Sequence, residues 1–156
     1  MRITETLITN QEEIKPQHVA HGEYEHIKHL VAPRKDNQCT VAIVELPPKK
    51  SYCPYHYHVA VTEVFYIISG EALLKTPQGE QTVSSGDVIV FPPGEAGSHK
   101  ITNSSTTETL RYLDVDTTAK ADVAFYPDSE KVGLILNGIQ EDNYKQNTAV
   151  EYYKDE

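Results

Sequence analysis

Histidine and glutamate side chains occur in this sequence with a spacing that suits metal binding. His56 and His58 are two positions apart, so on a β-strand their imidazole rings project from the same face and can share one cation. Glu63 begins the next apolar segment, where a buried carboxylate is costly unless a positive charge neutralises it. His99 opens another segment after a Pro-Pro-Gly turn. If the fold brings these segments side by side, three imidazoles and one carboxylate surround a single ion.

This mixed set of nitrogen and oxygen ligands indicates which cations the site would accept. It suits one divalent transition metal, namely Zn, Fe, Mn, Ni, Co or Cu, and is a poor match to Ca or Mg. An octahedral metal held by this set keeps open positions for water or substrate. The sequence does not select one metal from this group.

Other reactive side chains have weaker patterns. Arg111, on a late strand, is a candidate for binding a carboxylate or phosphate of a substrate, with a plain surface charge as the alternative. Cys53 is close to His56 but out of phase with the His pair, so we expect a small buried side chain rather than a thiolate ligand. Four N-terminal histidines lack an accompanying carboxylate pattern and are expected on an exposed face: His18, His21, His26 and His29. The catalytic residues of any reaction are not identified by the sequence.

The middle of the chain has the pattern of many short strands. Apolar, β-branched segments separated by Gly and Pro turns occur at residues 40–46, 64–69, 72–76, 81–84, 87–91, 99–102 and 109–115. This punctuation is typical of a sandwich or barrel, so the predicted class is all-β. The length fits one domain, residues 1–156, with a barrel core at about 40–115. Residues 1–39 form an N-terminal extension, expected to add an edge strand or a partner-swapped arm, and residues 116–156 form a C-terminal extension.

The overall charge narrows the range of partners. With a net charge of −9, the chain repels phosphate backbones and anionic membrane surfaces, so neither nucleic acids nor membranes are expected partners. Small molecules, metal cations and other copies of the chain remain. Residues 1–10 lack the apolar core of a signal peptide, and no apolar segment is long enough to cross a bilayer. With its two cysteines as free thiols, the protein is expected in the cytoplasm.

Two stretches resemble the two sequence motifs of the cupin superfamily. The first motif matches at His56, His58, Glu63 and Gly70, although Lys50 stands where the motif opens with glycine. The second motif matches in type and order at Gly86, Pro92, Gly94, His99 and Asn103. Four residues separate Gly94 from His99, more than in the family motif. Residues 111–116 and 125–129 look like a subgroup of small bacterial cupins, some of which are labelled sugar-phosphate-isomerase-like.

The resemblance implies a double-stranded β-helix (jelly-roll) cupin barrel with irregular terminal extensions. It also implies a homodimer and a metal site with the ligands His56, His58, Glu63 and His99. It implies no particular reaction, because one fold hosts many functions.

Three classes of function remain open at this point. The first is an enzyme acting on a small oxygenated metabolite, such as a sugar derivative or a keto or enediol compound. Such an enzyme would be a metal-dependent isomerase using Lewis-acid chemistry or a dioxygenase using O₂. The second is a non-catalytic module that binds or senses a sugar or metabolite. The third is a structural cupin without metal, which would leave four buried polar groups in need of other partners.

Overall fold

The computed structural model of the chain describes residues 2–155, whose regular structure consists of β-strands and a few short 3₁₀ turns. These residues form thirteen strands: β1 (Gln17–His21), β2 (Tyr24–Ala32), β3 (Cys39–Leu46), β4 (Tyr57–His58), β5 (Glu63–Ser69), β6 (Glu71–Thr76), β7 (Gly79–Ser84), β8 (Val88–Phe91), β9 (Lys100–Asn103), β10 (Leu110–Thr117), β11 (Ala121–Tyr126), β12 (Lys131–Leu136) and β13 (Ile139–Lys145). Short 3₁₀ turns lie at Gln11–Glu13, Glu95–Gly97, Pro127–Ser129 and Gln146–Thr148. No helix within residues 2–155 has the length and apolar character needed to cross a membrane.

The strands pair into three antiparallel sheets that build an all-β jelly-roll barrel, as the sequence predicts. One sheet has the order β1-β2-β3-β10-β5-β8, the second has the order β13-β12-β11-β4, and the third has the order β7-β6-β9. The predicted strands 40–46, 64–69 and 109–115 correspond to β3, β5 and β10. In the N-terminal extension, β1 is the edge strand of the six-stranded sheet, and β2 joins it to β3.

The inward positions of the central strands build an apolar core at one half of the barrel. Along β3 and β10, buried and half-buried residues alternate, because successive side chains of a strand point to opposite faces. Leu110 lies opposite Leu46, and Tyr112 lies opposite Val44. The buried core cluster contains Val44, Leu46, Phe65, Ile67, Ala72, Leu74, Val83, Phe91, Ile101, Leu110 and Tyr112. Burial of this apolar surface is the main favourable contribution to folding.

The same inward rows continue into a polar half of the barrel. On β10, the buried positions that follow Leu110 and Tyr112 are Asp114 and Asp116. On β5, the inward row changes from Phe65 to Glu63, which is paired with Asp116 across the two strands. The polar half therefore begins where the metal-binding pattern of the sequence lies.

Candidate metal centre

Backbone hydrogen bonds hold the two motif stretches side by side. The N–H of His56 donates to the carbonyl of His99 (3.1 Å), and the N–H of His99 donates back to the carbonyl of His56 (2.9 Å). His58 belongs to β4, which pairs with β11 at Ala124. The fold thus brings together segments that are far apart in the sequence, as the barrel hypothesis requires.

The turn before His99 is clamped at both of its ends. The N–H of Gly94 donates to the carbonyl of His58 (2.7 Å), while the far end is held by the reciprocal bonds between His99 and His56. The residues between these two ends form the 3₁₀ turn Glu95–Gly97. The greater length of this turn, compared with the family motif, is therefore absorbed in a compact bulge.

Three imidazole rings converge on the carboxylate of Glu63. The Nε2 atoms of His56, His58 and His99 lie 3.9, 3.7 and 3.4 Å from its oxygens. Ligand atoms of His56, His58 and Glu63 all lie within 4.8 Å of one another. All four side chains are buried. The four predicted metal ligands therefore lie near one another, and the group whose ligand atoms are all mutually close consists of His56, His58 and Glu63, with His99 beside Glu63.

Hydrogen bonds to the Nδ1 atoms fix which nitrogen of each ring faces the centre. Nδ1 of His56 donates to the carbonyl of Pro54 (3.0 Å), and Nδ1 of His99 donates to the carbonyl of Gly97 (2.9 Å). A carbonyl oxygen only accepts, so the ring proton resides on Nδ1 and the Nε2 lone pair is directed at the site. This is the arrangement that metal-ligating histidines usually have.

The third imidazole is held by a carboxylate that the sequence reasoning missed. Nδ1 of His58 donates to Oδ2 of Asp122 (2.5 Å), and the N–H of Ala60 donates to Oδ1 of the same carboxylate (2.9 Å). Burial alone would raise the pKa of Asp122, but these hydrogen bonds lower it below its ordinary value. Asp122 is therefore an anion that orients the His58 ring. Its inward position on β11, next to buried Ala124, is the only sequence signal that marks it.

Electrostatics favour a cation at the centre. Burial, and then the neighbouring histidines, lower the pKa of His56 well below its ordinary value, and burial lowers the pKa of His99 to about 4. Both rings are therefore neutral near pH 7 and do not neutralise Glu63. Burial raises the pKa of Glu63 to about 8, with a further contribution from Asp114. A carboxylate in this state gains strongly from a nearby positive charge.

The donor set fits a divalent transition metal. Metal bonds of about 2.0–2.2 Å to imidazole and carboxylate place neighbouring ligand atoms roughly 3 Å apart and opposite ones roughly 4 Å apart. The separations of 3.4–3.9 Å from Glu63 to the three rings fall in this range. The hydrogen bonds at the Nδ1 atoms turn three Nε2 atoms toward the site as nitrogen donors, and the carboxylate of Glu63 supplies the oxygen donor. The cluster of His56, His58 and Glu63 could therefore hold such an ion.

A cavity of about 330 Å³ opens onto this centre. Its lining is mostly polar: His26, Lys28, Arg34, Tyr52, Cys53, His56, His58, Glu63, Asp114, Asp116, Tyr126, Ile135, Gly138 and Gln140. Cys53 is a free thiol with Sγ 3.5 Å from Nδ1 of His56, and burial raises its pKa well above the ordinary value. It is thus a neutral, partly buried side chain. The expectation of an exposed face is wrong for His26 and His29, which are both half-buried. His26 lies in the cavity lining with its ring 4.5 Å from that of Tyr52, and Nε2 of His29 lies 3.5 Å from a carboxylate oxygen of Glu45.

Arg111 lies away from this cavity. Strand alternation directs Leu110 and Tyr112 inward, so Arg111 faces the outer side of the sheet. There, Nη2 of Arg111 donates to Oε1 of Gln11 (2.7 Å), and Nε lies 3.4 Å from a carboxylate oxygen of Glu45. The candidate substrate-binding arginine of the sequence is thus engaged with the N-terminal segment. The cations that line the cavity are Lys28 and Arg34, which lie in the extension where the sequence shows no motif.

Known proteins share the sequence pattern and the fold of this chain. Residues 42–116 match the family model described as Cupin domain. No curated protein matches the sequence. The crystal structure of a proposed sugar phosphate isomerase from Acidithiobacillus ferrooxidans is 24% identical, with a TM-score of 0.78, over 95% of this chain and 97% of that one.

Two further crystal structures share the fold. A sugar phosphate isomerase from a cupin superfamily, from Silicibacter pomeroyi, is 20% identical with a TM-score of 0.79, over 94% of this chain and 98% of that one. A predicted oxalate decarboxylase from Thermotoga maritima is 25% identical with a TM-score of 0.64, over 72% of this chain and 100% of that one. These likenesses establish the barrel, while the site must be judged from its own residues.

Proposed function

Because the chain carries a cupin domain, we propose that it is a metal-dependent enzyme that acts on a small oxygenated metabolite. The observation that carries this proposal is the convergence of three imidazole Nε2 atoms on the buried carboxylate of Glu63, at 3.4–3.9 Å. The proposed ligands of one Zn, Fe, Mn, Ni, Co or Cu ion are His56, His58, Glu63 and His99.

The chemistry divides between the ion and the protein. A divalent transition metal bound there would supply Lewis-acid polarisation of a substrate oxygen and, if redox-active, would transfer electrons from the substrate to O₂. The carboxylate of Glu63 contributes the negative charge of the ligand set, and Asp122 holds the ring of His58 in place. The cavity wall orients the substrate beside this centre. The side chains of Lys28 and Tyr52 line the cavity, and their polar atoms, 2.8 Å apart, can hold a proton next to the substrate.

The polar lining favours an oxygenated substrate. Ligands of small-molecule sites usually meet an apolar lining with a few polar groups, whereas this cavity is lined mainly by charged residues, histidines and tyrosines. An apolar substrate would strip water from these groups without replacing their hydrogen bonds. Two structural neighbours described as sugar phosphate isomerases make sugar derivatives the first substrates to test, followed by keto and enediol compounds.

The metal content of the protein tests the centre itself. Protein purified without chelators is expected to carry near-stoichiometric transition metal in elemental analysis. Metal-free protein is expected to take up Zn²⁺ or Mn²⁺ to the same level in equilibrium dialysis. If the purified protein carries no metal and takes up neither ion, the proposed centre is wrong.

Turnover assays under air and under nitrogen test the reaction class. The metal-loaded protein would be incubated with a mixture of sugars, sugar phosphates and keto acids, and the products followed by mass spectrometry. Oxygen-independent interconversion indicates an isomerase, and oxygen-dependent loss of one compound indicates a dioxygenase. Saturable binding without turnover in either atmosphere would replace the enzyme by a binding or sensing module.

We also propose that the protein is a homodimer. Support comes from β8, the edge strand opposite β1 in the six-stranded sheet, whose residues Val88 and Val90 are 64% and 59% exposed. An exposed apolar edge strand offers backbone groups and apolar surface to a second copy. Sedimentation equilibrium should show a dimer that becomes monomeric in the Val88→Lys, Val90→Lys double variant. A monomeric unaltered protein at micromolar concentration would exclude this assembly.

A cytoplasmic location completes the proposal. The free thiols of Cys39 and Cys53 suit a compartment that keeps cysteines reduced. Fractionation of the cells that produce the protein tests this directly, and recovery from an extracytoplasmic fraction would contradict it.

A further inference from the structure

Two ion pairs form one wall of the cavity beside the proposed metal centre. Nζ of Lys28 lies 3.0 Å from Oδ2 of Asp114, and Nη2 of Arg34 lies 2.9 Å from Oδ2 of Asp116. All four side chains line the same cavity as His56, His58 and Glu63. We call these four residues the ion-pair wall.

Apolar side chains could fill the space that these ion pairs occupy. Asp114 and Asp116 are 2% and 3% exposed, and they continue the inward row in which Leu110 and Tyr112 are also buried. A buried ion pair is commonly no more stabilising than apolar side chains of the same volume, because both charges lose their water. Two such pairs at successive inward positions therefore indicate a demand for polar groups in the cavity itself.

The carboxyls of the wall have too few hydrogen-bond donors. Within residues 2–155, Oδ1 of Asp114 and Oδ1 of Asp116 are buried and receive no hydrogen bond from a donor group. Two buried carboxyls with such unpaired oxygens gain when a ligand brings hydrogen-bond donors to them.

The cations of the wall offer donors in the same place. Lys28 has three ammonium protons, and its described hydrogen bonds go to the hydroxyl of Tyr52 and to Asp114. The guanidinium of Arg34 has several N–H groups, of which Nη2 bonds Asp116. Each of the two ion pairs therefore presents hydrogen-bond donors next to a carboxyl that accepts.

A hydroxyl group matches such a pair because it can donate to the carboxyl and accept from the cation. A rigid anion such as oxalate has only acceptor atoms, so it satisfies the cations, leaves both carboxyls without donors and adds negative charge beside them. An aliphatic or aromatic ligand would satisfy neither. The volume of about 330 Å³ lies at the small end of ligand pockets, which suits a molecule of monosaccharide size.

We propose that the ion-pair wall recognises a ligand with several hydroxyl groups, of about the size of a monosaccharide, and orients it against the metal centre. Carboxyl oxygens of Asp114 and Asp116 accept from its hydroxyls, while Lys28 and Arg34 donate to their oxygens. This inference rests on the proposed function, which places the reacting end of the ligand at the metal centre. Recognition of the ligand by the ion-pair wall can be measured separately, as binding affinity.

Calorimetric titration of the Zn²⁺-loaded protein tests this recognition. The hydroxylated probes are D-glucose, D-fructose, D-gluconate and D-glucose 6-phosphate, and the acceptor-only probes are oxalate and succinate. We expect at least one hydroxylated probe to bind ten or more times more tightly than both acceptor-only probes. Comparison of gluconate with the 6-phosphate shows whether a carboxylate or a phosphate accompanies the hydroxyls. Tighter binding of oxalate or succinate than of all four hydroxylated probes, or no saturation by any of these four at 10 mM, overturns the proposal.

Matched variants assign the effect to the wall. Asp114→Asn, Asp116→Asn and the double variant Lys28→Gln, Asp114→Asn should each weaken the best hydroxylated probe at least tenfold while keeping the Zn²⁺ content of the unaltered protein. The control is Lys75→Gln, which removes an exposed ion pair with Asp128 outside the cavity, and it should bind the probe normally.

The double variant removes both charges of one pair together, so it avoids an unpaired buried charge if Asp114→Asn alone fails to fold. Unchanged probe affinity in folded, Zn²⁺-containing variants contradicts recognition by the wall. Absence of Zn²⁺ from the unaltered protein contradicts the metal centre instead, so the two failures are distinguishable.

Discussion

The two halves of the barrel interior are equally buried but chemically opposite. On β10, Leu110 and Tyr112 are fully buried in the apolar half, and Asp114 and Asp116 are almost as fully buried in the polar half. In the apolar half, removal from water stabilises the fold by roughly 25 cal/mol per Å². In the polar half, the same removal costs free energy, which only ion pairs, hydrogen bonds or a bound ligand offset. Burial therefore lowers the free energy of the fold at Leu110 and Tyr112 and raises it at Asp114 and Asp116, on the same strand.

Because of this difference, substitutions in the two halves should change different properties of the protein. Substitutions in the apolar half should change the free energy of unfolding and leave the centre intact. Substitutions in the polar half should change the affinity for metal or ligand with a smaller or even opposite effect on folding. The expected outcomes below test this separation, beginning with the largest.

Loss of an imidazole in the polar half should have the largest effect. We expect His58→Ala to lower metal affinity by at least about 100-fold, since it deletes a proposed ligand that Asp122 holds in place. Zn²⁺ affinity would be measured by competition with a chromogenic chelator. His56→Ala should behave similarly. The control is His21→Ala, an exposed ring on β1, which should keep the metal content of the unaltered protein. Full metal occupancy in either site variant would remove that residue from the ligand set.

Truncation in the apolar half should reduce stability without affecting the ion. Leu74 is 1% exposed within the core cluster, so Leu74→Ala should cost about 2–5 kcal/mol of unfolding free energy through lost burial and a residual cavity. Urea denaturation of the metal-free protein measures this cost, and elemental analysis of the variant measures its metal content. A loss of metal as large as in His58→Ala would show that the two halves are not separable.

Asp122→Asn should have an intermediate effect on metal binding. Asparagine can still accept from the N–H of Ala60, but its amide turns a donor toward Nδ1 of His58 and removes the negative charge. We expect metal affinity to fall about 10–100-fold. The visible spectrum of the Co²⁺-substituted protein should shift, because the orientation of the ring changes. Unchanged affinity together with an unchanged spectrum would limit Asp122 to a structural role.

Arg111→Gln should have the smallest effect. Its pair with Glu45 is partly exposed on the outer face of the sheet, and such pairs contribute about 0–1 kcal/mol. Metal content and binding of the hydroxylated probes should remain those of the unaltered protein. A tenfold loss of probe binding would mean that Arg111 reaches the ligand after all.

The sequence predicts the barrel and the direction of the motif side chains well, for a physical reason. Strand alternation and turn residues are local properties, so β3, β5 and β10 could be placed within about two residues of their ends. The pair His56 and His58 depends only on the two-residue period of a strand. Their convergence with His99 depended on a resemblance, and the structure shows the backbone bonds that produce it.

The polar wall and Asp122 could not be predicted, because their roles depend on which strands become neighbours. Lys28 and Arg34 lie in the N-terminal extension, where the sequence shows no motif, and reach the cavity only because β2 joins β3. Asp114 stands at an inward position of the predicted strand 109–115, but Asp116 lies beyond its predicted end, and strand parity does not show which charged partners the two residues meet. The charge of Arg111 suggested a substrate-binding role, but on β10 the side chains alternate between the two faces, so Arg111 points outward.

The turn between Gly94 and His99 is hydrogen-bonded at both ends, so its length can change without changing the geometry of the proposed ion site. Both of its ends are tied to the backbone that carries the neighbouring histidines, so residues added at its apex extend the bulge rather than displace the ring of His99. Evolution or an engineer can therefore vary this apex, and with it the outer surface near the centre, while the coordination of the ion is preserved.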